Sequence, residues 1–203
     1  EVWVKLIGTF NAYNLLAIYG TAIELGMESL EALRLLSELE SVSGRFQYIV
    51  SAANITAIVD YAHTPDALEN VLKTVNDIRT KNEQLITVVG CGGNRDKTKR
   101  PVMGGIASDL SDKAIFTSDN PRNEDAEVII SEMETGVAPQ NYKRILSITD
   151  RKQAIKTACQ LAQPNDIILI AGKGHETYQE INGVRHDFDD MKIVKELLEQ
   201  LHK

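Results

Sequence analysis

The stretch ITAIVDYAHTPDALENVLKTV, residues 55–75, changes its hydrophobic period half-way along. Ile55 to Asp60 is a short, largely apolar run of strand length. Pro65 then suits the first turn of a helix, where its missing N–H removes no bond. Thr64 caps that helix, and Leu68, Val71, Leu72 and Val75 form its buried stripe. The same alternation continues downstream, with strands predicted at Leu85–Val89, Ala114–Thr117, Arg144–Ile148 and Ile167–Ile170. Helices are predicted from Pro101, from Ala126, behind an Asp150/Gln153 capping box, and from about Asp189. All-apolar strands such as Ile167–Ile170, alternating with helices, imply an α/β fold with a mostly parallel sheet and helices on both faces. Tyr178–Ile181 and the Asn182-Gly183 turn predict a small hairpin at its edge.

Upstream of this region, Leu15, Ile18, Tyr19 and Ala22, and then Ala32, Leu35, Leu36 and Leu39, show helical spacing on either side of Gly26. Ser41 to Gly44 interrupts the pattern with small residues and marks the expected boundary between a helical leading segment and the α/β part. The 22 Lys and Arg against 29 Asp and Glu give a formal net charge of −7, which offers no global field for nucleic acid or an anionic membrane. At 43% hydrophobic and 25% charged, the 203 residues have a globular composition. No run approaches the roughly 18 apolar residues of a membrane span, and the first residues do not read as a signal peptide. A soluble, cytoplasmic monomer is expected. Cys91 and Cys159 alone make no disulfide scaffold and fit a reducing compartment.

In an open parallel sheet, ligands bind at the carboxyl ends of the strands, and four such exits here carry chemistry. Gly90-Cys-Gly-Gly-Asn-Arg-Asp-Lys-Thr-Lys-Arg100 places Arg95, Lys97, Lys99 and Arg100 against Asp96, a local +3 that reads as an anion site or as a solvated basic loop. It is not a Walker A loop, since no G-x-x-x-x-G-K-[ST] occurs in the chain. Asp119-Asn120-Pro121-Arg122 could address a zwitterion, with the guanidinium on a carboxylate and the acid on an ammonium, or it could be an Asx-turn capping the next helix. Gly172-Lys-Gly-His-Glu176 is either a ligand loop or a glycine turn with exposed charges. Asp60, at a strand end, suits ribose hydroxyls or helix capping, and His63 precedes a helix N-terminus where phosphate would bind. His175 reads as structural rather than as an acid or base, and Cys91 as packing rather than a nucleophile.

Gly8-Thr-Phe-Asn-Ala-Tyr-Asn14, Ser43-Gly-Arg45, Val59 to Leu68, Gly90 to Asp96, Asp119 to Arg122 and Gly172 to Glu176 stand in the order found in the Mur ligases, which the chain resembles over its whole length. Within that family it looks most like those that add meso-2,6-diaminopimelate to UDP-MurNAc-L-Ala-D-Glu in peptidoglycan synthesis. The resemblance implies a Rossmann-like C-terminal domain at residues 45–203 that binds the incoming amino acid. Residues 1–44 would be a helical remnant of the central ATPase domain. It implies ATP contacts at Asn14, Arg45, Asp60 and His63, and diaminopimelate contacts at Arg95, Asp119, Asn120, Pro121, Arg122, Gly172 and Glu176. The phosphate-binding loop, the magnesium ligands and the UDP-binding domain would precede Glu1, so no catalytic or metal residue is assigned here, and the fragment alone is expected to be inactive. Thr9, Phe46 and Asn94 depart from the family's commoner residues, none at an implied contact.

The implied reaction is amide formation: ATP phosphorylates the glutamyl carboxylate, and the amino acid's amine attacks the acyl phosphate. Arg122 carries the specificity, because diaminopimelate is lysine with one more carboxylate and a buried guanidinium needs it as partner; discrimination of roughly 10⁴–10⁵ is expected. The alternatives are a diamino-acid or nucleotide binding module without turnover, and a related ligase that adds lysine or extends folate. Asp119-Asn-Pro-Arg122 argues against the related ligases.

Overall fold

The computed structural model describes residues 3–203, apart from the side chains of Thr9 and Phe10, so the first two residues of the expected leading segment lie outside the described residues. In chain order the elements are α1 (Thr9–Glu24), α2 (Ser29–Glu38), β1 (Gln47–Val50), β2 (Thr56–Asp60), α3 (Pro65–Ile78), β3 (Leu85–Val89), α4 (Lys99–Leu110), β4 (Lys113–Phe116), α5 (Ala126–Glu134), β5 (Ile145–Ser147), α6 (Arg151–Leu161), β6 (Ile167–Ala171), β7 (Tyr178–Ile181), β8 (Val184–Asp187) and α7 (Asp190–Gln200). They fall into two compact units, Glu1–Val42 and Ser43–Lys203.

In the second unit, six strands pair in the order β1-β2-β6-β3-β4-β5. β2, β6, β3, β4 and β5 are parallel, and β1 runs antiparallel to β2. Alternation along each strand splits the side chains between two faces. Ala57, Val59, Ile86, Val88, Ile115, Ile168 and Ile170 meet the stripes of α6 and α7, including Ile155, Cys159, Val194 and Leu198. On the other face, α3, α4 and α5 pack side by side and bury Leu68, Leu72, Met103, Ala107 and Met133. Each such fully buried large apolar side chain contributes about 1.5–3 kcal/mol. The helices start where their caps lie: Thr64 Oγ1 accepts from Ala67 N–H, and Asp150 Oδ1 accepts from Gln153 N–H at 2.8 Å.

Three sequence expectations need correction. β1 was not anticipated; it is a four-residue edge strand whose alternation is only between half-buried and exposed, too weak a pattern to stand out. The hairpin does form at Asn182-Gly183, but β7 and β8 make a separate two-stranded sheet and not an edge of the main one. It lies against the loop after β4 through an Arg122–Ile181 bridge. The strand predicted at 144–148 shrinks to Ile145–Ser147, because Pro139–Arg144 form a 3-10 turn.

In the first unit, α1 and α2 flank Gly26, whose φ of 89° suits a residue without a Cβ. Ala32 and Leu36 are buried, whereas Trp3, Tyr13, Leu16, Leu25 and Leu30 are exposed and Ile18 is half-exposed. The expected stripe of α1 is therefore only partly covered. Among the described residues no helix is long and apolar enough to cross a membrane.

Candidate amino-acid site

The carboxyl ends of β2, β6, β3 and β4 lie side by side, so the loops that leave them converge. They enclose a cleft of about 750 Å³. His63, Arg95, Asp119, Arg122, Gly172 and Glu176, from four separate loops, all line it. The two arginines and Glu176 thus share one cleft.

The glycine-rich loop after β3 divides its charges. The expected +3 is not all presented to a ligand, because Arg100 is fully buried and bonded to Glu124 and Glu132. Burial works against its charge, but those carboxylates outweigh it and raise its pKa. Glu124 also pairs with Lys97 and accepts from the Asn94 N–H; led by the Arg100 hydrogen bond, these contacts pull its pKa down to about 2. Lys99 Nζ donates to the His63 carbonyl at 2.7 Å. Arg95 stays exposed on the cleft wall. Cys91 is buried, and desolvation pushes its thiol up to about 12, so it packs and does not react.

The loop after β4 lines the cleft with Asp119, Asn120 and Arg122. Asp119 and Asn120 are buried. Arg122 has φ 53° and Nη1 donates to the Gly93 carbonyl at 2.8 Å, while Nε lies 3.8 Å from Glu180. Its side chain is 22% exposed, so it is not the fully buried guanidinium expected. Pro121 does not line this cleft and lines a neighbouring one with Ser118 and Asn123. Gly172 has φ 115°, and a Cβ there would lie 2.6 Å from Asp119 Oδ2, so this position admits glycine only.

Lys173 is the residue that the sequence reading passed over. It is fully buried, and Nζ reaches Asn120 Oδ1 at 2.9 Å, Glu176 Oε2 at 3.3 Å and Asp119 Oδ1 at 3.5 Å. A lysine between two glycines reads as solvated; its position straight after an all-buried strand was the signal that could have revealed it. Asn120 Nδ2 donates to Glu176 Oε2 at 2.8 Å, and its Oδ1 also accepts the Glu180 N–H. The amide oxygen is thus committed inside the protein, while Asn120 still lines the cleft.

The residues assigned to nucleotide are placed differently. Asp60 does not line the cleft: Oδ2 accepts the Phe46 N–H at 2.7 Å and Oδ1 the Ala62 N–H at 2.8 Å. Burial, the largest influence, raises its pKa against those two bonds and Arg45. Arg45 lies over the Tyr61 ring at 5.2 Å. That ring also meets His63 at 4.5 Å and His175 at 5.2 Å. His63 stands at the N-terminal end of α3, its Nδ1 2.8 Å from the Tyr61 carbonyl oxygen. Asn14 belongs to the first unit, exposed on α1, where its amide donates to Asn11.

A family profile described as "Mur ligase, glutamate ligase domain" matches residues 44–174. A UDP-N-acetylmuramoyl-L-alanyl-D-glutamate--2,6-diaminopimelate ligase from Cytophaga hutchinsonii is 59% identical over 203 residues, all of this chain and 42% of the relative. The ligase of the same name from Bacillus cereus is 46% identical over 98% of this chain and 39% of its own length. A solved structure of a ligase with that name superposes with a TM-score of 0.76 at 44% identity, covering 100% of this chain and 41% of that one. UDP-N-acetylmuramate-alanine ligase from Thermotoga maritima, 20% identical, shares the fold with a TM-score of 0.67 over 98% of this chain and 39% of its own. The chain spans about two-fifths of the length of the curated relatives it matches.

Proposed function

The chain belongs to the Mur ligase family, and from that premise we propose that its cleft holds the incoming amino acid of an ATP-dependent ligase that adds meso-2,6-diaminopimelate to UDP-MurNAc-L-Ala-D-Glu. One observation supports this reading above the others: Arg95, Arg122, Asp119 and Glu176 line a single cleft. Two guanidinium groups and two carboxylates are the complement of a ligand with two carboxylates and two ammonium groups. Lysine would leave one guanidinium without its anion.

Amide formation in water needs an activated carboxylate and an amine held in line with it. Here Asp119 and Glu176 would orient the ligand's ammonium groups, and Arg122 and Arg95 its carboxylates. ATP would supply the phosphoryl group that activates the glutamyl carboxylate. His63, Lys99 and the N-terminal end of α3 present cationic and N–H groups to phosphate, and Arg45 on Tyr61 is a further cation near them. Asp60 serves this end by holding the Arg45-Phe46 turn, since both its oxygens are taken by backbone. Magnesium would be held by the rest of the ligase. Residues 1–44 would close the preceding ATPase domain, with Asn14 toward the nucleotide.

Calorimetric titration of the 203-residue chain with meso-diaminopimelate and L-lysine tests the reading. Diaminopimelate should bind at least about a hundredfold more tightly, the worth of two charge-assisted hydrogen bonds. Equal affinities would overturn it.

A further inference from the structure

We propose that Lys173 is a positioning residue that sets the charge balance of the cleft, and with it the preference for a neutral diamino diacid over a cationic diamino monoacid. This rests on the diaminopimelate reading. Around the cleft the cations Arg95 and Arg122 face the anions Asp119 and Glu176, which sum to zero; Glu180, 3.8 Å from Arg122 Nε, is offset by Arg185, its partner across the hairpin. Lys173, with no exposed side-chain surface and its ammonium on Asp119 and Glu176, brings the sum to +1. On the rim, Asp96 and Lys99 cancel. Below, the buried Arg151–Asp190 pair is neutral in itself, with Nη2 at 2.7 Å from Oδ2. Such a site does not repel diaminopimelate, whose two carboxylates and two ammonium groups sum to zero. Lysine carries +1 and would meet a net repulsion.

Lys173 also fixes where the anions stand. Its ammonium touches Asp119, Asn120 and Glu176 together, and through Asn120 Oδ1 the contact extends to the Glu180 N–H on β7. One buried charge thereby joins the loop after β4, the loop after β6 and the hairpin. Replacing it with an apolar group of like length leaves Asp119 and Glu176 as uncompensated neighbours and frees the Asn120 amide to turn.

The test is Lys173→Met, with Lys173→Arg as the variant that keeps the charge. In the Met variant, diaminopimelate affinity should fall by about a hundredfold and lysine affinity by much less, so that the ratio between them narrows. The Arg variant should keep the ratio near that of the unaltered chain even where both affinities drop. Equal losses for both ligands, or an unchanged diaminopimelate affinity, would overturn the proposal. Should Lys173→Met not fold, the same ratio compared between Lys173→Arg and Lys173→Gln decides it. Failure of the underlying reading shows separately, as an unaltered chain that binds neither amino acid. In that event hydrogen exchange at the Glu180 amide still tests the positioning: exchange should be at least about tenfold faster in Lys173→Met, and equal rates would sink it.

Discussion

At the scale of single residues, the basic loop after β3 shows how a charge can be misassigned from spacing alone. Arg100 is the best-buried of its four cations, and its carboxylate Glu124 reaches it from 24 positions further along the chain. Glu124 ionises near pH 2 in the fold, against 4.5 ordinarily, chiefly because Arg100 donates to it. A carboxyl whose pKa is lowered by folding adds stability in full above the ordinary value, and that contribution drains away as the pH falls toward the folded one. Melting temperatures from pH 7 to pH 2 should therefore fall more steeply below about pH 4.5 in the unaltered chain than in Glu124→Gln, which should start lower at pH 7. Parallel curves would show that the pair is not coupled to folding. Arg122 calls for a smaller number than its sequence suggested. Partly solvated and already bonded to Gly93, it offers a ligand carboxylate one forked pair of charge-assisted bonds, so Arg122→Ala should weaken diaminopimelate binding by about a hundredfold and not by 10⁴–10⁵. Calorimetry on that variant gives the figure directly, and an unchanged affinity would remove Arg122 as the carboxylate's anchor.

Among the elements, the β7–β8 hairpin does more than close an edge. Arg122 N–H donates to the Glu180 carbonyl at 3.0 Å, and Asn182 N–H donates to the Arg122 carbonyl at 2.7 Å, so the hairpin grips the backbone of the arginine from both sides. Its turn puts Asn182 at φ 50° and Gly183 at φ 77°, as a type I′ turn demands. Nothing lies near the site of a Gly183 Cβ, so substitution there acts through backbone conformation alone. Gly183→Val should cost about 1–2 kcal/mol in urea unfolding and should also weaken diaminopimelate binding, because the grip on Arg122 loosens. A loss of stability with unaltered binding would detach the hairpin from the site. This coupling could not be read in advance. The turn residues announced a hairpin, and period changes announced β2, β3, β4 and β6 with their helices, since local chemistry decides both. That the hairpin would leave the main sheet and seat itself on the loop after β4 depends on contacts 60 residues apart, such as Asn120 to Glu180, for which no local pattern exists. The same holds for Lys173 and for Asp60: their residue types were visible, but their partners, and hence their roles, were set by the packing.

For the whole molecule, the division at Val42–Ser43 separates two kinds of stability. The second unit has a sheet covered on both faces and a continuous core, with Ile55, Ile86, Ile115, Ile155 and Ile168 all fully buried. The first unit buries Ala32 and Leu36 and leaves Trp3, Tyr13, Leu16, Leu25 and Leu30 in water. Apolar surface left in water contributes nothing to folding at about 25 cal/mol per Å², so the leading helices gain little stability from their own packing. All of the residues that line the amino-acid cleft belong to the second unit. Removing residues 1–42 should therefore leave a domain that unfolds cooperatively within a few degrees of the full chain, about the effect of 1 kcal/mol in a domain of this size, and that binds diaminopimelate with unchanged affinity. Differential scanning calorimetry and titration of residues 43–203 check both halves. A shortened chain that folds but no longer binds would mean that the helical unit supplies part of the amino-acid site, and the assignment of that site to the strand-end loops alone would have to be given up.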